Sequence, residues 1–183
     1  MAIQLVGKRI ILRQFKKGDE KSLQENINDP DIYKCTLTIP YPYTMENAVW
    51  WVKHANENIK EKRGYELGIV LKESKKEVIG GMGICKIDKE HDSAEVGYWL
   101  GKKYWGKGIT SEALELLMGF AFDELKLHRL YANTFIENIA SQRVLEKAGF
   151  KREGRRKEVI KKDGKYYDDF IYGLVSSDYF ARK

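Results

Sequence analysis

The chain has little cysteine, little proline and no long apolar run, and each shortage narrows what it can be. Two cysteines, Cys35 and Cys85, among 183 residues can close at most one bridge, so no disulfide framework holds the fold. The opening segment MAIQLVGKRIILRQF lacks the small-residue cleavage site of a signal peptide. Both cysteines therefore read as reduced core thiols of a cytoplasmic protein. No apolar stretch approaches the ~18 residues of a membrane span, so no membrane partner is expected. Low-complexity tracts and internal repeats are also missing. Of only three prolines, Pro40 and Pro42 stand together with Tyr41 and Tyr43, which marks an aromatic loop rather than a regular element.

What is present suits one domain over residues 1–183, long enough to bury a sizeable core. The charged fraction of 33% and the apolar fraction of 43% are ordinary for a globular chain. The net charge of +6 has two readings, solubility or attraction to an anionic partner such as a nucleotide cofactor or a ribosomal surface. The densest basic cluster (Lys151, Arg152, Arg155, Arg156, Lys157, Lys161, Lys162 and Lys165) is interrupted by acids. There is no helix-turn-helix, finger or aromatic RNA motif, so direct nucleic-acid binding is not expected.

Alternation over Arg9–Phe15, with Ile10 and Leu12 on one face, predicts a first strand. Asp19 is expected to cap a helix carrying Leu23 and Ile27. Thr44 is expected to cap a longer helix whose apolar positions, Met45, Ala48, Val49, Val52, Ala55 and Ile59, follow a period near 3.6, with Gly64 as its stop. Strands over Tyr65–Leu71, Val78–Ile87 and Ala94–Leu100 are joined by short loops and predict an antiparallel meander. A helix from Thr110 to Glu124, a strand over Leu130–Phe135, and a helix opening at Asn138 and closing at Gly149 follow. Two strands around Lys162-Asp163-Gly164-Lys165 end the chain. Seven strands and about four helices in this order predict an α/β (α+β) domain with a mixed sheet.

The informative segment runs from Glu95 through Gly106 and Gly108 to Thr110. A strand ends, a glycine-spaced loop follows, and a helix opens. The first turn of a helix leaves about four N–H groups unpaired and carries roughly half a positive charge. Gly106 and Gly108 let that backbone approach a ligand closely, and Lys103 and Lys107 add cationic character, which together predict a phosphate pocket. A magnesium-dependent P-loop fits less well. Gly101-x-x-x-x-Gly106-Lys107 is followed by Gly108 where a Ser or Thr hydroxyl is needed, and no apolar strand ending in Asp lies downstream to hold the metal. No metal is expected.

Lys103-x-x-Gly106-x-Gly108 is similar to the pyrophosphate loop of the GNAT superfamily of N-acetyltransferases, with lysine where glutamine or arginine is commoner. Further segments carry the resemblance in order: Ile11-Leu12-Arg13, Glu95–Leu100, Trp105–Ala113, Asn138–Ser141, Leu145–Phe150 and Asp163–Asp168. Together they resemble most the Rim-type branch, which acetylates the N-terminal amine of ribosomal proteins. The resemblance implies a mainly antiparallel seven-stranded sheet, splayed between its fourth and fifth strands. It implies acetyl-coenzyme A as co-substrate and direct attack of an amine on the thioester. Neither cysteine stands beside a histidine or in a nucleophile motif, which agrees with the lack of an acyl-enzyme. The backbone of Trp99 and Leu100 would meet the pantetheine arm. Lys103, Tyr104, Trp105, Gly106, Lys107, Gly108, Ile109 and Thr110 would hold the diphosphate.

Asn138 is either a ligand of that arm or only a helix N-cap. The family's usual acidic tyrosine falls at Leu145, so Ser141 becomes the candidate acid for the thiolate, against its reading as an ordinary polar residue of a first turn. Glu95, on the strand face of Trp99, is the first candidate base, against a solvated or ion-paired role; Glu112 and Asp168 are weaker. A protein α-amine, with a pKa of about 7.7–8.0, is already roughly 10–20% neutral at pH 7 and asks little of a base. Tyr41, Tyr43, Trp50, Trp51, Tyr166 and Tyr167 are either core or an aromatic wall beside the acceptor. Expected partners are the N-terminus of a ribosomal protein or else a small amine, with the chain acting as a homo-oligomer. A coenzyme A-binding module without catalysis is the remaining alternative.

Overall fold

In the computed structural model, residues 2–74 and 76–182 are described. Eight strands form one sheet: β1 (Gln4–Val6), β2 (Ile10–Arg13), β3 (Tyr65–Leu71), β4 (Val78–Asp88), β5 (Ser93–Leu100), β6 (Arg129–Phe135), β7 (Lys151–Lys162) and β8 (Lys165–Val175). Their order is β1-β2-β3-β4-β5-β6-β8-β7. The predicted meander is present, since β3, β4 and β5 pair antiparallel in succession. β1 is the strand that raises the count from seven to eight.

β5 and β6 are the parallel pair, and they are in register only from Ser93↔Arg129 to Glu95↔Tyr131. Beyond that point β5 stays with β4 as far as Leu100, while β6 stays with β8 as far as Phe135. The sheet therefore opens between β5 and β6, which are the fourth and fifth strands when the short β1 is left out.

Six α-helices flank the sheet among the described residues, not about four: α1 (Glu20–Ile27), α2 (Pro30–Cys35), α3 (Met45–Lys60), α4 (Ile109–Gly119), α5 (Ile139–Lys147) and α6 (Ser176–Ala181). Each strand sends alternate side chains to opposite faces, and two cores result. One joins Leu67, Ile69, Ile84 and Val96 to Ala113, Leu114 and Leu117 of α4. The other joins Phe15, Val70, Val78 and Trp99 to Leu23 and Ile27 of α1 and to Ala48, Val52 and Ala55 of α3. None of these helices is long and apolar enough to cross a membrane.

Local signals decide some helix ends and long-range contacts overrule others. Thr44 does cap α3, accepting from the Asn47 N–H at 3.2 Å while the Asn47 side chain accepts from the Thr44 N–H at 2.9 Å. Gly64 is not the stop of α3: the helix ends at Lys60, and Lys62 takes the left-handed turn with φ +55°. Asp19 stands before α1 but makes no side-chain cap. Its carboxylate is buried and receives both Arg13 guanidinium nitrogens at 2.7 and 2.8 Å, with the Lys16 N–H at 2.8 Å. A buried carboxylate needs a full set of donors, and this need outweighs capping. The helix expected over 110–124 changes after Gly119 into a wider π turn over Phe120–Glu124. Cys35 is exposed at the end of α2, so only Cys85 is an inward thiol, with its pKa pushed up to about 12 by burial and by Glu95 and Glu66.

Candidate functional site

β5 delivers the chain to a loop that folds against its own strand. The Gly101 N–H donates to Ile79 O at 2.8 Å, and the Trp105 indole N–H returns to Leu100 O at 2.6 Å. Leu100 O is thereby occupied. Gly106 and Gly108 have φ of +71° and +72°, conformations that cost an L-residue about 1–2 kcal/mol. A methyl carbon placed at Gly106 would meet nothing within 4 Å, and one at Gly108 would meet only an Arg9 guanidinium nitrogen at 3.5 Å. Gly108 is the N-cap of α4 and supplies no capping side chain. The first-turn N–H groups of α4 therefore face an open cradle. Lys103 and Lys107 flank it with their ammonium groups 5.1 and 5.8 Å from the Tyr104 ring. Bare amides, a helix dipole and two cations fit the diphosphate of coenzyme A.

The cradle is braced from behind by Arg9. Its guanidinium donates to Lys107 O at 2.8 Å and to Glu112 at 2.8 Å, and its backbone N–H reaches Glu112 at 2.7 Å. Burial raises the Glu112 pKa, but the Arg9 bonds and charge outweigh it and hold the carboxyl below the ordinary range. Glu112 is thus engaged in the brace. Asp168 accepts from the Glu158 N–H at 2.8 Å and from Arg155 at 2.6 Å, and these bonds lower its pKa as well.

Across the opening between β5 and β6 stand Asn138 and Ser141. Asn138 Oδ1 accepts from the Ser141 N–H at 3.1 Å, which is an N-cap, and its Nδ2 lies 3.5 Å from Cys35 O. The Ser141 hydroxyl is 2.8 Å from the Tyr98 hydroxyl. Burial pushes the Tyr98 pKa well above the ordinary tyrosine range. Leu145, where the family's tyrosine is expected, is fully buried in the core. Sequence reasoning missed Tyr98, although alternation from Trp99 was enough to put it on the face of β5 opposite Trp99 and Glu95.

On the other face of β5, Trp99 is buried with its indole over Gly81. Glu95 lies 2.6 Å from the Lys86 ammonium and accepts from Asn133 at 3.4 Å. Glu66 accepts from Asn58 at 3.2 Å, and burial raises its pKa. The aromatic residues divide. Tyr43 is core, Trp51 and Tyr167 are half-buried, and Tyr41, Trp50 and Tyr166 are exposed. Tyr167 stands edge-on to Phe135 at 5.7 Å, and Trp50 stacks on His54 at 4.5 Å.

α2 ties these pieces together. Asp31 receives Lys102 of the loop at 2.6 Å, Tyr33 donates to Asp163 of the β7–β8 turn at 2.5 Å, and Lys162 donates to Tyr33 O and Thr36 O. Burial lowers the Lys162 pKa. A cavity of about 450 Å³ opens beside the loop, lined by Glu25, Asn26, Asn28, Asp29, Lys102 and Lys103. Residues 103–110 thus form one cradle at α4. Ser141 of α5 reaches Tyr98 of β5, whereas Asn138, the N-cap before α5, turns to the Ser141 N–H and to Cys35 O of α2. Ile109 contributes only backbone, its side chain being core.

The Acetyltransferase (GNAT) domain profile matches residues 9–151. The probable N-acetyltransferase YjcK of Bacillus subtilis is 33% identical, covering 95% of this chain and 98% of its own length. The putative ribosomal N-acetyltransferase YdaF of the same organism is 29% identical, covering 95% of this chain and 86% of its own. The crystal structure of a GNAT-family acetyltransferase from Bacillus anthracis superimposes with a TM-score of 0.83 at 28% identity, covering 96% of this chain and 99% of that one.

Proposed function

Because the chain belongs to the GNAT acetyltransferase family and is an acyltransferase using acetyl-coenzyme A, we propose that it acetylates the N-terminal amine of a ribosomal protein by direct transfer. The observation that carries this reading is the opening between β5 and β6, which starts past Glu95 and runs to Leu100, the end of β5 that leads through the glycine loop to the uncapped N-terminus of α4. The bound cofactor supplies an acetyl group as a thioester. Gly106, Gly108 and the first-turn amides of α4 hold its diphosphate, and Lys103 and Lys107 screen the charge. The strand backbone at Trp99 orients the arm.

Ser141 passes a proton to the departing sulfur and regains one from water, and Tyr98 fixes its hydroxyl. Glu95, paired with Lys86 and steered by Asn133, receives the proton of the amine through water. An α-amine suits so modest a base, because roughly 10–20% of it is neutral at pH 7. The likeness to YdaF, named for a ribosomal acceptor, supports the acceptor class. So do the exposed apolar side chains of Leu37, Tyr41, Met45, Val49 and Trp50, which offer apolar surface to a polypeptide. The test is thiol release from acetyl-coenzyme A with N-terminal peptides of ribosomal proteins, polyamines and amino acids in parallel. Ribosomal peptides are expected to give the highest kcat/KM; preference for a polyamine or an amino acid would refute the acceptor assignment.

A further inference from the structure

Five glycines interrupt the central strands β3, β4 and β5: Gly68, Gly80, Gly81, Gly83 and Gly97. Glycine weakens a strand interior, so each needs a reason. Four have one inside the protein. A methyl carbon at Gly68 would lie 3.1 Å from the Phe15 ring, at Gly80 2.7 Å from Trp99 O, at Gly81 2.5 Å from the Trp99 indole nitrogen, and at Gly83 2.8 Å from the Glu66 Cα. Gly97 has none. A methyl there would meet nothing within 4 Å, and its φ is not in the left-handed region. It is also exposed, in a strand whose Val96, Trp99 and Leu100 are buried. Neither packing nor backbone geometry requires glycine at this position. Close approach by something outside the chain is the remaining reason.

The surroundings say what approaches. Gly97 shares its strand face with Glu95 and Trp99 and pairs with Gly83, over which the Glu66 stem lies. Asn133 stands across the opening on β6 and donates to Glu95. Two buried side-chain polar atoms stand without a hydrogen-bond or ion-pair partner among the described residues, Glu66 Oε2 and Asn133 Oδ1. Both are acceptors on strands bordering this face. A third buried acceptor, Glu95 Oε2, is served by the Lys86 ammonium alone, at 2.6 Å. Buried acceptors without donors are costly, and a ligand rich in N–H groups relieves that cost.

We infer that the clearance over Gly97 seats the acceptor, and that it selects a primary amine whose neighbouring groups are hydrogen-bond donors rather than a carboxylate. A peptide N-terminus, with its ammonium and following amide N–H, satisfies this lining. A free amino acid brings its own carboxylate among Glu66 and Glu95 and is repelled. This inference rests on the acetyltransferase reading and names the acceptor seat for it.

The test compares Gly97→Ala and Gly97→Val with the unaltered protein, using a tripeptide amide and the free amino acid with which it begins as acceptors. The acceptor KM for the tripeptide is expected to rise about threefold in the Ala variant and at least about tenfold in the Val variant, with the KM for acetyl-coenzyme A unchanged. The melting temperature of the Ala variant is expected to be equal or higher, because alanine fits an extended strand with open space beside it. The unaltered protein is expected to favour the tripeptide over the free amino acid at least about tenfold in kcat/KM. An unchanged acceptor KM in both variants, or equal use of the two acceptors, overturns the seat while leaving acetyl transfer standing. Transfer to no amine by the unaltered protein overturns the acetyltransferase reading, and this inference with it.

Discussion

Gly106→Val isolates the contribution of the open cradle. At φ +71° a side chain costs about 1–2 kcal/mol in the folded state. Nothing lies within 4 Å of the new carbon, so no packing term adds to this. For a chain of 183 residues each kcal/mol lowers the melting temperature by about 2–4 °C, giving an expected loss of about 2–8 °C. Strain alone cannot account for a change in cofactor affinity when the same backbone is present free and bound. The branched side chain must itself obstruct the diphosphate, and at least a tenfold loss of affinity, about 1.4 kcal/mol, is expected. Gly164 supplies the matched control. It has φ +76° and also meets nothing within 4 Å, but it sits in the β7–β8 turn. Gly164→Val should lower the melting temperature similarly and leave coenzyme A affinity within about twofold. Calorimetric titration with coenzyme A and thermal melts of both variants provide the measurements. Unchanged affinity in Gly106→Val, or an equal loss in Gly164→Val, would refute the cradle.

Three other outcomes are expected. Tyr98→Phe and Ser141→Ala should each lower kcat more than they weaken cofactor binding. The double variant should fall no further than the worse single one, because the two hydroxyls act through one 2.8 Å contact; multiplicative losses would uncouple them. Arg9→Ala removes the brace on Lys107 O and Glu112, so the KM for acetyl-coenzyme A should rise several-fold with little change in kcat, and an unchanged KM would dismiss the brace. Glu66 has its pKa raised above the ordinary 4.5 by burial. An acid whose folded pKa is raised contributes stability at low pH that is lost as pH climbs from 4.5 through the folded value. Glu66→Gln should therefore melt higher than the unaltered protein at pH 8, with the gap closing by pH 4; a constant gap across that range would contradict the assignment.

The central meander was legible because three short apolar runs, around Leu67–Leu71, Val78–Ile84 and Ala94–Leu100, are separated by short polar loops, and the α4 cradle because glycine spacing and a helix start are local features. Thr44 and Asn47 similarly carry their cap within four residues. What escaped was set by contacts far apart in the chain. Asp19 resembles a cap until Arg13 is seen beside it, and nothing near Ser141 announces Tyr98, 43 residues earlier. β1 has three residues, too few to show a period. α2 was readable in principle, since Asp29 caps it and Pro30 occupies its first turn, but six residues between a longer helix and an aromatic loop did not stand out. Cys35 reads as a core thiol only while α2 goes unrecognised. At the candidate site, residue types pointed to the chemistry, whereas the clearance at Gly97 depended on knowing what its neighbours leave empty.

The brief parallel pairing of β5 with β6 also bears on how the molecule holds together. Three residue pairs, extended at one end by the His128 and Arg129 N–H groups donating to Asp92 O, form the main-chain seam seen among the described residues between a five-stranded leaf and a three-stranded leaf. Cohesion beyond that seam falls to side chains that bridge it, such as Asn133 reaching Glu95 and Ser141 reaching Tyr98. A ligand seated in the gap and bonded to both leaves would stiffen the joint where the backbone is least stitched.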